Sequence, residues 1–272
     1  MWSVSGAGRG RRRKTMVRIL FIALNTFRET VRNKILYVIL AFSLLVIGLT
    51  WFLAELSVGD LARIIADVGL ACIHIFGVIM AVFLGITLVS QELDRKTVYV
   101  ILSKPVRRWE FVVGKAVGLS LTLAITTAIM ASMLYVVHSG YRYGGSSEPG
   151  ILVASAGIYL ELVLLICIAS MFSTFTTPVL SAIFTLAMFF IGHITNDLLV
   201  FGGQSKSTMV KQAAEALFYI LPNLETFNWK NGVVYGEART LRPLFLSFGY
   251  FVSYTAGVLA TACLLFSRKD FK

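Results

Sequence analysis

The chain has 272 residues, 57% of them hydrophobic and 14% charged, with a mean hydropathy of +0.79. A soluble domain carries about 25% charged residues, so this chain lacks the polar surface of a water-exposed globule, and a large soluble enzyme is excluded. Its net charge of +11 comes from basic residues that flank apolar runs, which points to orientation in a membrane and away from nucleic acid. Cys72, Cys167 and Cys263 stand far apart inside apolar stretches, so no disulfide framework or paired-cysteine motif is available.

Residues 1–15 read as a flexible basic tail, and Met16 is a plausible natural start. Residues 17–34 read as an amphipathic helix: Leu20, Leu24, Phe27 and Val31 recur at helical spacing, with Arg18, Asn25, Glu29 and Arg32 opposite. Such a helix lies along the inner membrane surface with its cations, Arg18, Arg28 and Arg32, near anionic lipid headgroups. Arg18 interrupts the apolar stretch and no small-residue cleavage site follows, which argues against a signal peptide. Six apolar runs follow, at about 35–54, 68–90, 116–137, 151–174, 178–195 and 243–267. Each approaches the roughly 20 residues that a membrane helix needs. The fourth and fifth are separated only by Phe175-Thr176-Thr177, a tight helical hairpin, and Pro178 suits the first turn of the fifth. Between the last two, 211–221 is helix-prone and Pro222-Asn223 ends it, which fits a short interfacial or re-entrant helix.

Lys and Arg set the orientation. Eighteen fall before the first span, between spans two and three, and after span six; seven fall on the opposite side. Both termini are therefore expected in the cytoplasm. The cytoplasmic loop 91–115 is dense in charge yet carries the apolar strip Val98-Tyr99-Val100-Ile101-Leu102, which wants a partner surface or the membrane interface.

Phosphate-binding, zinc-protease and serine-hydrolase motifs are missing: Gly114-Lys115 is followed by Ala116, and Trp109 stands five positions before Gly114. Glu161 is the one carboxylate deep in a span, near the bilayer midplane. An ionised group there costs about 2.5–3.5 kcal/mol on insertion scales, so it is expected to face protein and to be partnered, with Thr126, Thr127, Ser181 and Thr185 at comparable depth. No catalytic residue and no metal site is expected. Two other readings stay open. One is a stand-alone secondary transporter or channel, which needs more intramembrane polar groups than Glu161 alone. The other is a membrane-embedded metal or haem protein using His74, His138 and His193, expected toward the outer ends of spans.

Asn25-Thr26-Phe27-Arg28-Glu29-Thr30-Val31-Arg32-Asn33-Lys34, Leu102-Ser103-Lys104-Pro105-Val106-Arg107-Arg108 and Gly114-Lys115 resemble the permeases of ABC type-2 transporters. Phe172-Ser173-Thr174-Phe175-Thr176-Thr177-Pro178, Leu221-Pro222-Asn223-Leu224 and Arg268-Lys269-Asp270-Phe271 are similar to the branch containing the permease of the nitrous-oxide-reductase maturation system. The resemblance implies an all-α membrane protein with a single permease domain over 16–272: a cytoplasmic elbow helix, six spans, and a short re-entrant or interfacial helix before the last. It implies a bacterial or archaeal inner-membrane location and a second permease copy as partner. Separate ABC ATPase subunits would hold ATP and Mg²⁺, so this chain needs no cofactor of its own. A periplasmic partner is known in some members, and nucleic acid is not a partner. The segment 91–104 would carry the coupling helix, with Glu92, Asp94, Arg95, Lys96, Tyr99 and Lys104 as contacts to the ATPase. Small pairs at four-residue spacing, Ala81 with Gly85 and Gly114 with Gly118, suit close contacts between sliding helices.

Overall fold

The computed structural model describes residues 5–33, 35–56, 61–94, 108–141, 150–205, 207–230 and 241–268. Among them there is no strand. The helices are α1 (Ser5–Asn33), α2 (Ile35–Leu56), α3 (Leu61–Asp94), α4 (Arg108–Tyr141), α5 (Gly150–Ser173), α6 (Pro178–Gln204), α7 (Thr208–Ile220) and α8 (Leu241–Arg268), with one 3₁₀ turn at Leu224–Phe227. Five of them, α3, α4, α5, α6 and α8, are long and apolar enough to cross a membrane. The apolar run 35–54 falls on α2, a further helix of 22 residues.

Helix α5 is the axis of the bundle. It packs against α3, α4, α6 and α8, and every residue from Glu161 to Ser170 is buried. A helix that is apolar all round has no amphipathic stripe to expose, so it takes the centre. Phe42 of α2 meets Phe76 of α3 edge-on at 6.1 Å. Small residues set the closest approaches, as expected where lipid supplies no hydrophobic force between helices. Gly85 of α3 lies against Ala169 of α5. Gly114 and Gly118 of α4 receive α1, where Ile22, Ala23 and Thr26 pack.

Helix α1 runs from Ser5 to Asn33 without interruption and includes the basic residues between Arg9 and Lys14. Ala23 and Thr26 face α4, whereas Met16, Val17, Leu20, Phe21 and Leu24 are exposed. Apolar side chains left outside a membrane bundle are suited to lipid, so burial within the protein falls to the small residues. Gly118→Ala tests this contact. Its added Cβ would lie 2.6 Å from the Ala23 carbonyl oxygen and 2.8 Å from Thr26 Cβ, and overpacking of that kind costs about 1–3 kcal/mol. Gly203→Ala, with nothing within 4 Å, should leave stability unchanged or raised. Thermal unfolding in detergent should separate the two variants; equal stability would remove α1 from its seat on α4.

Helix α6 runs nine residues past the end expected at 195, to Gln204. Its buried positions are Ser181, Thr185, Gly192, Thr195 and Gly202, small or hydroxylated residues on one helical face. Its large apolar side chains, such as Val179, Phe190 and Phe201, point outward. Pro178 opens the helix after Thr177, where its missing N–H leaves no bond unmade.

Candidate functional site: a buried His–Glu–His cluster

Glu161 stands eleven residues along α5, roughly 16 Å from Gly150 at 1.5 Å per residue. Its side chain is 2% exposed. His74 of α3 brings Nε2 to 2.8 Å from Glu161 Oε1, and His193 of α6 brings Nε2 to 3.5 Å from the same oxygen. Phe189, one turn before His193, packs against both imidazoles at centroid distances of 5.5 and 4.6 Å. Three helices thus deliver one carboxylate and two imidazoles to one point.

A fourth group arrives from the connection between α7 and α8. Helix α7 returns along α6, with Ala214 against Gly202. The chain then turns inward at Pro222-Asn223 and buries Leu224 and Phe227 against Leu164 and Ile168 of α5. Backbone at this depth needs internal partners, and the neighbouring helices provide them. The Asn223 N–H donates to Tyr250 Oη at 2.8 Å, and its side-chain amide donates to Asn196 Oδ1 at 2.7 Å. Tyr254 Oη donates to the Ile220 carbonyl at 2.9 Å, and Ser247 Oγ to the Thr226 carbonyl at 3.0 Å. Gly157 leaves room for this segment: a Cβ there would stand 2.5 Å from the Phe227 carbonyl oxygen. Lys230 follows, with Nζ 2.9 Å from His74 Nδ1.

The proton inventory follows from donor chemistry. A lysine ammonium only donates, so His74 accepts at Nδ1 and its Nε2–H donates to Glu161. His193 Nδ1 lies 3.0 Å from the Phe189 carbonyl, which only accepts, so Nδ1 carries a proton and Nε2 faces the carboxylate. Burial holds the Lys230 ammonium below the usual lysine value, while the Glu161 and Glu225 carboxylates pull it back up.

This arrangement corrects several expectations. Three of the four hydroxyls proposed as partners of Glu161 bond elsewhere: Thr126 to the Thr122 carbonyl, Ser181 to the Ala169 carbonyl and Thr185 to the Ser181 carbonyl. His74 and His193 lie well inside helices longer than the apolar runs had indicated, and they meet Glu161; His138 on α4 is outside the cluster. Lys230 was not among the residues singled out from the sequence. A carboxylate inside an apolar helix needs a cation, and Lys230, which follows Trp229 downstream of the helix-breaking Pro222-Asn223, is a sequence-level signal for it.

Of the elbow cations, Arg18 Nη1 lies 3.8 Å from Oε2 of the buried Glu110 on α4. Arg28 is exposed, and the side chain of Arg32 is outside the described residues. Glu92 and Asp94 belong to the last turn of α3, but their side chains are not described; Arg95, Lys96, Tyr99 and Lys104 lie outside the described residues.

The family model of ABC-2 family transporter proteins matches residues 20–271. The chain belongs to this family. It is a multi-pass membrane protein and the membrane component of an ABC transporter. No curated protein matches it. Permeases of this family normally work with ABC ATPase partners, often as dimers. In this permease the polar cluster sits at the junction of α3, α5, α6 and the inserted segment 221–230.

Proposed function

We propose that this chain is the permease subunit of an ATP-driven transporter, paired with a second permease copy and with two separate ATPase subunits. The family match over 20–271 carries this reading. The chain supplies the membrane path, or transmits force across it, and the ATPases supply the energy. ATP binding closes the ATPase dimer, and the loop 91–115 transmits that closure to α3 and α4, the helices it joins. Glu92, Asp94, Arg95, Lys96, Tyr99 and Lys104 are the contacts we assign to the ATPase groove. Bundles switch between discrete packings, and ATP drives the switch because its affinity differs between them. The six spans are α2, α3, α4, α5, α6 and α8, with both termini cytoplasmic in a bacterial or archaeal inner membrane. Helix α1 serves as the elbow, and α7 with segment 221–230 as the re-entrant element on the outer side. The resemblance noted in the sequence supports assignment to the branch that serves nitrous-oxide-reductase maturation, and a periplasmic partner would fit a force-transmitting role.

Orientation is testable by thiol labelling in a variant without Cys72, Cys167 and Cys263. Cysteines at Ser146 and Ser205 should react with impermeant reagents added outside intact cells, and a cysteine at Ser103 should react only after lysis. Labelling of Ser103→Cys from outside would place the 91–115 loop away from any cytoplasmic ATPase.

A further inference from the structure

We propose that His74, Glu161 and His193 form a three-ligand site for a first-row transition-metal dication, Zn²⁺ or a close neighbour, at the centre of the helix bundle. The donor set is two imidazoles and one carboxylate, which suits such ions and not Mg²⁺ or Ca²⁺. One ligand atom from each residue lies within 4.8 Å of the others. In a tetrahedral zinc site with bonds of about 2.0–2.2 Å, neighbouring ligand atoms stand roughly 3.3–3.6 Å apart. The Glu161 oxygen lies 2.8 Å from one imidazole nitrogen and 3.5 Å from the other, so both carboxylate–imidazole separations stand within an ångström of that spacing.

The surroundings fit as well. His193 donates its outer Nδ1–H to the Phe189 carbonyl at 3.0 Å, which is how a ligating histidine is held with Nε2 inward. Phe189 covers both rings and limits access by water. Three protein ligands leave one tetrahedral position open, the pattern of an exchangeable site and not of a closed structural one. Lys230 is the one misfit. Ligation through His74 Nε2 places that ring's proton on Nδ1, so Lys230 must withdraw or accept there. A methionine at 230 keeps the ligands and removes this conflict.

Metal binding is independent of ATPase coupling, so it stands or falls separately from the proposed function. The full chain, purified without a polyhistidine tag in lipid nanodiscs, should be loaded with Zn²⁺ or Co²⁺ and passed through gel filtration. We expect one ion per chain, and Co²⁺ should give the visible absorption of a low-symmetry nitrogen–oxygen site. Competition with a chromophoric chelator should show Glu161→Gln and His193→Gln each weakened beyond the ~10–100-fold typical of outer-shell changes. His138→Gln should bind like wild type, and Lys230→Met at least as tightly. Elution volume and helicity verify folding of each variant, and His193→Gln alone decides the matter if Glu161→Gln misfolds. A wild-type chain that retains no ion, or wild-type affinity in a folded His193→Gln, would overturn the site. Loss of binding in Lys230→Met but not in Glu161→Gln would also overturn the ligand assignment.

Discussion

Glu161→Leu should abolish the stable permease, whereas Glu161→Gln should preserve it. Leucine fills the space but leaves the buried His74 Nε2–H, on the ring that accepts from the Lys230 ammonium, without its acceptor. A buried donor left unsatisfied costs about 1–3 kcal/mol, and more where charged groups are involved, a large part of a typical total stability of about 5–15 kcal/mol. Glutamine keeps a carbonyl oxygen for the His74 Nε2–H, so the loss falls to the difference between a charged and a neutral hydrogen bond, on the order of 1 kcal/mol. The expected readouts are a collapsed monodisperse fraction and a strongly lowered unfolding temperature for the leucine variant alone. Adding Lys230→Met to Glu161→Leu should restore part of the loss, because the stranded cation is removed. The two residues share one network, so this double mutant measures their coupling. Wild-type stability in Glu161→Leu would mean that the cluster contributes nothing to holding α3, α5 and α6 together.

Reversing Arg95 and Lys96 to glutamate should uncouple the transporter while leaving the permease folded and inserted. The loop carrying them connects α3 to α4 in the chain. Truncating one partner of a buried, hydrogen-bonded charge pair across an interface costs about 2–5 kcal/mol, which at 1.4 kcal/mol per decade is roughly 30-fold or more in affinity. Reversal adds repulsion to that loss. The ATPase should then dissociate readily in detergent, and its turnover should no longer respond to the permease. Full ATPase binding and unchanged turnover in the double variant would remove the coupling role from this segment.

The apolar runs located the helices well but marked their ends poorly. Asn196-Asp197 ended the apolar count of α6, yet neither residue breaks a helix, and Asn196 is held by Asn223; α6 continues to Gln204. Helix α7 and the stop at Pro222-Asn223 were legible because proline and local polarity act within a few residues. The destination of the chain after that stop was not. That Lys230 returns to His74, 156 positions away in sequence, depends on tertiary packing that no local pattern records. Glu161 was legible as a group needing a partner, since its cost in an apolar helix is a one-residue argument. The choice of imidazole over hydroxyl was not legible. Thr126, Ser181 and Thr185 satisfy themselves on backbone carbonyls of their own or an adjacent helix, as short hydroxyl side chains readily do. On α1, Leu20 and Leu24 of the expected apolar stripe are exposed, while Ala23 and Thr26 make the protein contact.

The gathering of four titratable groups inside the bundle gives the permease intramembrane polarity that an ion-driven carrier could also use. The source of energy separates the two possibilities. The most direct measurement is isolation of the tagged permease from its native membranes in mild detergent, followed by assay of the eluted complex for ATP hydrolysis. The permease should co-elute with a nucleotide-binding ATPase in equal amount, and the complex should turn over ATP. A permease that elutes alone, and that moves solute in proteoliposomes on an ion gradient without ATP, would contradict the account.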